Sequence, residues 1–483
     1  MPPFFSPLRM NHQHSFKAAD GKGAALATKD RDRPLGAVVF YALLVVMLLI
    51  PIPYGAADPW WQEALHCAVF GLAIIAVIDF SINPEVKSLP VGLVLPILVL
   101  IVFAFIQTLA LRSNPESFGG VQIWQTASAD PLATRLWMLK MSAYLLMGLM
   151  LARYTSSVYR LRWLIAIIAI VGLGSALFGI FRQTTQRHDG FQVFNRLKLG
   201  LGYAQFVNRS QFAFLAEMVL GIMLGLLVSR SEKREKKLVY LAASVTLWTA
   251  LVLSVSRGAI LAMLCQILFL FVIWATGDAR ANAPGSDSRL SRLRHSRLLL
   301  LILGCALMIS VLAGTIWMGG DQLSTRLENA PMEMNGSANR NAGISRLEIW
   351  RDTWAMIKDH PIAGVGFGGY WIAIAQYHHG SGEATPQEAH NDYLELLASG
   401  GVIGVALALW FLIVFLRRAG QIWKTSHGYA RAAALGAVTG IFGIAIHSLS
   451  DFGLHNATNA TILTALIVIA TTKIRSEHEL FRH

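Results

Sequence analysis

The stretch EAHNDYLELLASGG (388–401) sets His390 and Asn391 among three acids, Glu388, Asp392 and Glu395. Histidine is the side chain whose ordinary pKa lets it take a proton near neutrality. A hydroxyl nucleophile needs such a base. Cations stand elsewhere in apolar surroundings: Lys140 in LWMLKMSAY, Arg209 in FVNRSQFAF and Arg257 in LSVSRGAIL, with Arg346 opening RLEIWRDTW. Guanidinium groups stabilise charge that develops on a departing phosphate. A late stretch, HSLSDFGLHN, spaces His447, Asp451 and His455 four apart, which puts them on one face if the stretch is helical. One base and several cations compose a transfer in which an acceptor hydroxyl attacks a carbon whose leaving group is a lipid-borne diphosphate.

Other chemistries find less support. His378, His379, His390 and Asp392 show no HxxxH or HExxH spacing. Cys67, Cys265 and Cys305 all lie in apolar runs without a CxxC pair. The expectation is therefore no metal, no cofactor and no disulfide. GVGFGGY (364–370) fits GxGxxG, but a dinucleotide site needs a strand before it and a helix inside a βαβ unit. A glycine turn is the expectation there, with an anion-binding backbone as the alternative.

The elements that must position these groups follow from composition. The chain has 483 residues, 54% hydrophobic and 14% charged, where a soluble domain carries about 25% charged residues. Runs such as LGAVVFYALLVVMLLIPIP (35–53) are long enough to cross a bilayer, which takes roughly 20 residues. They are continuous rather than alternating, so helices and not a barrel are expected. The fold class is all-α: a polytopic transmembrane helix bundle of about twelve spans, with one large periplasmic loop containing short helices. The net charge of +13 concentrates in short basic loops, RSEKREKK (230–237) and RLSRLRHSR (289–297). These read as topology anchors facing anionic lipid, not as a nucleic-acid surface. The same rule puts both termini in the cytoplasm. The expected organisation is a polar cytoplasmic tail (1–33), a first part of the bundle (34–317), the large periplasmic loop (318–400), a second part of the bundle (401–473) and a short cytoplasmic tail (474–483).

Within the loop, SRLEIWRDTWAMIKDHP predicts an amphipathic helix over about 346–359, capped by Ser345 and ended before Pro361. Arg346 falls in its first turn, where the helix dipole disfavours a cation and a nearby anion would offset the cost. A second helix is expected over about 386–399, capped by Thr385 and stopped at Gly400–Gly401. On it His390 would share a face with Tyr393, Leu394 and Leu397, opposite Asp392. Any acid that orients His390 must then come from elsewhere in the fold.

SRGAILA, SRLEIWRDTWAMIKDHPIAGVGFGGY, AHNDYLELLASGGVIG and HSLSDFGLHNATNA, in that order, resemble the O-antigen ligase and O-antigen polymerase superfamily, most clearly over residues 203–459. The resemblance implies a bacterial inner-membrane glycosyltransferase. Its donor would be a glycan on undecaprenyl pyrophosphate, and its acceptor a hydroxyl of a glycan, of lipid A core or of protein, at the periplasmic face. The reaction implied is inverting and metal-independent. By motif position, Arg257 and Arg346 resemble the family's pyrophosphate-contacting arginines and His390 its base; Arg209, after Asn208, is a further candidate. Asn391, His447, Asp451, His455 and Lys140 are possible supporting groups. The alternative reading is a polytopic secondary transporter of an anionic substrate, although no repeated halves are evident.

Overall fold

The computed structural model describes residues 34–84, 91–113, 124–185, 202–229, 232–277, 346–378 and 386–474. Among the described residues the first part holds eight helices: α1 (Pro34–Leu49), α2 (Pro59–Ile82), α3 (Val91–Gln107), α4 (Pro131–Tyr154), α5 (Val158–Thr185), α6 (Arg209–Val228), α7 (Arg234–Leu253) and α8 (Arg257–Gly277). Between α3 and α4 a two-stranded antiparallel ribbon pairs Ala110–Ser113 with Trp124–Thr126. After it come α9 (Arg346–Asp359), the short α10 (Tyr370–Ala373), α11 (Asp392–Thr425), α12 (Gly428–His447) and α13 (Ala457–Thr471). Among the described residues seven helices are long and apolar enough to cross a membrane, and α1, α3, α8 and α13 are shorter apolar helices. A further apolar run at 297–317, also expected to span, and the basic loop 289–297 lie outside the described residues, as do residues 1–33 and 475–483, Ser345 and Thr385.

The helix α6 is the axis of the molecule. Fifteen of its side chains, from Ser210 to Leu226, are buried all round the helix, whereas most spanning helices keep an exposed apolar face for lipid. It crosses α12 through two small-residue pairs. A Cβ on Gly225 would meet the backbone of Gly436, and one on Gly436 would stand 2.7 Å from the Cα of Ile222. Gly221 and Gly440 are in the same relation. This is a small-xxx-small crossing, in which backbones approach because no side chain intervenes. Gly436→Leu is expected to cost about 3 kcal/mol or more, since the obstacle is backbone that cannot rotate away. A variant with wild-type thermal unfolding in nanodiscs would contradict the crossing.

One sequence expectation changes here. α11 runs on through the glycine pair, but Gly401 adopts φ 60°, ψ −163°, so a kink separates the turns before it from the spanning part. Val402 and Ile403 donate to the carbonyls of Pro361 and Ile362 at this break. The glycine stretch 364–369 is a packed turn. Val365 N–H and Gly366 N–H donate to the carbonyls of Ala398 and Ser399 at 2.9 and 3.0 Å. Phe367 stacks on Trp137 with centroids 4.2 Å apart. The N–H groups of Gly364, Val365, Gly366, Phe367 and Gly369 all donate to acceptors within the protein.

Candidate functional site

The N-termini of α6 and α8 and the C-terminus of α12 meet at one end of the bundle. The direction of the chain makes this unavoidable, because α7 returns between α6 and α8. The first residue of α6 is Arg209, with Asn208 as its cap accepting from Ser210 N–H at 2.9 Å. The first residue of α8 is Arg257. Gly258 beside it leaves no room for a Cβ, which would stand 2.7 Å from His447 Cδ2 and from Ser450 Oγ. Both arginines are partly exposed and both have contacts within the protein.

His390 reaches the same end by a different route from the one its sequence suggested. α11 begins at Asp392, not at 386, because Asn391 is the cap. Its side-chain oxygen accepts from Tyr393 and Leu394 N–H, both at 3.0 Å. Asn outcompetes the upstream Thr–Pro signal because an Asn oxygen sits within reach of two orphan amides. His390 therefore precedes the helix and shares no face with Tyr393, Leu394 and Leu397. It adopts φ 50°, a left-handed conformation that non-glycine residues rarely take. Its neighbours hold it there. Trp350 Nε1 of α9 donates to Ala389 O at 3.0 Å, and Glu395 Oε2 accepts from Ala389 N–H at 2.9 Å. Asn391 Nδ2 donates to Leu449 O at 3.0 Å. Strain at one residue fixed from both sides is typical of a functional position. Asn391→Ala is expected to cost about 1 kcal/mol through the lost cap and to loosen His390 as well. Thermal unfolding measures the first effect and residual activity the second.

The acid that approaches His390 is Asp451. Its Oδ1 lies 3.8 Å from His390 Nδ1, and its Oδ2 lies 3.5 Å from Arg346 Nη2. Phe452 packs edge-on against the imidazole, with centroids 4.7 Å apart. Asp451 is 5% exposed. Burial pushes its carboxyl up, but His390, Arg346, a Ser210 hydrogen bond and His447 together outweigh burial and hold it at about 2. Arg346, disfavoured by its own helix dipole, thus finds its anion in Asp451. On the near side of His390, burial pushes the Glu388 carboxyl up, against the pull of His455 and His390.

The late polar stretch is not one helical face. α12 ends at His447, and the chain turns through 448–452 into the 3-10 turn Gly453–His455. The three groups part company. Asp451 joins His390 and Arg346. His455 Nε2 faces Glu395 at 3.4 Å and Asp392 at 3.9 Å. His447 turns inward, 1% exposed, with Nδ1 2.9 Å from Glu217 Oε1 and its ring stacked on Phe214. Lys140 joins none of these groups: its ammonium lies 3.4 Å from Glu63 Oε1 and 3.5 Å from Gln62 Oε1.

Sequence reasoning missed Glu217, Trp350 and Ser210. Glu217 had a signal: an acid inside the apolar run AFLAEMVLG is costly and is kept for a reason. Trp350 read only as part of an apolar face, and nothing in the sequence marks its indole as the support of the His390 turn.

Helices long enough to span, small-residue crossings and a polar site at one end of the bundle define a multi-pass helical membrane protein. Residues 242–409 match the sequence model of a family described as O-antigen ligase. This match supports the resemblance to the O-antigen ligase and polymerase superfamily, and it spans Arg257, Arg346 and His390. Comparison with curated protein sequences found no match.

Proposed function

We propose that the chain is a glycosyltransferase of the inner membrane. It moves a glycan from an undecaprenyl-pyrophosphate donor to an acceptor hydroxyl at the periplasmic face, with inversion and without a metal. The acceptor is a growing glycan, lipid A core or protein. The observation that carries the reading is Asp451 between His390 and Arg346, at the bundle end where Arg209 and Arg257 open their helices. With Nδ1 turned to an ionised carboxylate, His390 presents Nε2 as the base. The acceptor oxygen forms its bond to the anomeric carbon as the bond to the diphosphate oxygen breaks. The hydroxyl proton goes to Nε2, and undecaprenyl pyrophosphate leaves with both electrons of the broken bond. Arg257, Arg346 and Arg209 stabilise the charge on that leaving group. Asn391 and His455 support the His390 turn, and His447 supports the Arg257 turn from within. Residues 318–400 form the large periplasmic loop, and both termini are cytoplasmic.

The deciding experiment deletes the gene and analyses surface glycans. Accumulated single repeat units identify a polymerase. Full-length lipid-linked polymer that never reaches the surface identifies a ligase. Unchanged glycans, with anion uptake by proteoliposomes of the purified protein, would establish the transporter instead. Arg257→Ala is expected to lower the transfer rate by about 10² or more, with normal membrane insertion. Wild-type transfer by that variant would remove Arg257 from the site.

A further inference from the structure

A second cluster of ligand-type side chains lies on α9, outside the residues assigned above. Glu348 and Asp352 stand one turn apart on that helix, and His378 follows the 3-10 turn Ile374–Gln376 that packs on it. One donor atom from each of the three lies within 4.8 Å of the other two. The His378 side chain is 6% exposed, with Nδ1 2.9 Å from Asp352 Oδ2. Asp352 is itself buried. Glu348 makes no hydrogen bond or ion pair among the described residues. Arg351 lies 4.0 Å from Asp352 Oδ1, with its side chain 79% exposed to solvent. Two carboxylates converging on one point, one of them buried, repel each other unless a cation intervenes.

We propose that Glu348, Asp352 and His378 bind a divalent transition metal, with zinc the best fit. One imidazole nitrogen beside two carboxylate oxygens suits zinc, whereas calcium and magnesium take oxygen ligands throughout. Three protein ligands with a fourth position for water is a common zinc arrangement. Zinc bonds of about 2.0–2.2 Å place tetrahedral ligand atoms roughly 3.4 Å apart. The His378–Asp352 pair, at 2.9 Å, is tighter than this and would open slightly around an ion, while a rotamer change at half-buried Glu348 adjusts the third ligand atom, which lies within 4.8 Å of the other two. The ion ties α9 to the segment that follows α10. Since α9 also carries Arg346 and Trp350, the site braces the helix that supports His390 and does no chemistry itself. No short motif reveals it, because His378 comes 26 residues after Asp352 in the chain.

The test uses the full chain in nanodiscs, with any affinity tag removed, titrated with Zn²⁺ by calorimetry and analysed for bound metal after desalting. One zinc per chain with micromolar or tighter affinity is expected, together with a higher unfolding midpoint. Glu348→Gln and His378→Ala should each weaken binding at least tenfold, while Arg351→Ala should leave it unchanged. Should His378→Ala misfold, Glu348→Gln alone carries the comparison, since Glu348 supports no hydrogen bond whose loss would unfold α9. Absence of stoichiometric binding, or wild-type affinity in Glu348→Gln, would overturn the proposal. No activity is read, so either result leaves the transfer reading where it stands.

Discussion

His390→Ala is expected to abolish glycan transfer while the protein inserts and folds normally. The site depends on one base, and general-base catalysis contributes about 10²–10⁴ in rate. Loss at the upper end is expected, because Asp392 is engaged by Ser448 and His455, and Glu395 by His455 and the Ala389 N–H. The substitution is mild for the fold. The side chain is one-third exposed and its ring packs edge-on against Phe452 without filling a cavity of the core. The left-handed φ of 50° remains strained for alanine, so a small loss of stability accompanies the large loss of rate. The measurement is polymer or ligated glycan formed by reconstituted protein, set beside its size-exclusion profile. Transfer within a few-fold of wild type would take His390 out of the chemistry.

Asp451→Asn is expected to lower transfer by about 10³ and to lower stability as well. One carboxylate faces both His390 and Arg346. Removing its charge leaves Arg346 without its anion, but the Arg346 side chain is 42% exposed, so solvent screens much of the loss and the cost is about 1–2 kcal/mol. The amide also stops favouring the Nδ1–H tautomer, so Nε2 loses its place as the base. The pH dependence follows from the low pKa. The folded carboxyl sits at about 2, below its ordinary range, so Asp451 contributes stability that is fully present above pH 4. That contribution fades as pH falls from about 4 to 2, and amounts to roughly 2 kcal/mol. Wild-type protein should therefore lose stability across that window faster than Asp451→Asn does. Parallel curves for the two would show that Asp451 is not held ionised by its neighbours.

The helical character of the chain was legible because it rests on local pattern. A long apolar run has few alternatives to a spanning helix: the apolar stretches at 63–80 and 161–181 fall inside α2 and α5, and that at 238–255 overruns the end of α7 by two residues. α9 was equally legible, since its apolar spacing and the following Pro361 settle its end within the segment itself. The start of α11 was not. Two cap signals six residues apart compete there, and the winner is decided by contacts of Ala389 and Asn391 with Trp350 and Leu449, residues far away in sequence.

The sequence by itself determined that this protein is a bundle of membrane-spanning helices carrying a histidine and several arginines of the right chemistry. It did so because hydropathy and residue type are properties of single segments. Only the tertiary structure decided the companions: Asp451 for His390 and Arg346, Glu217 for His447, Glu63 for Lys140. Each of those pairs joins different elements, and the close crossing of α6 with α12, set by glycines that bear no charge, fixes which polar groups arrive at the same end.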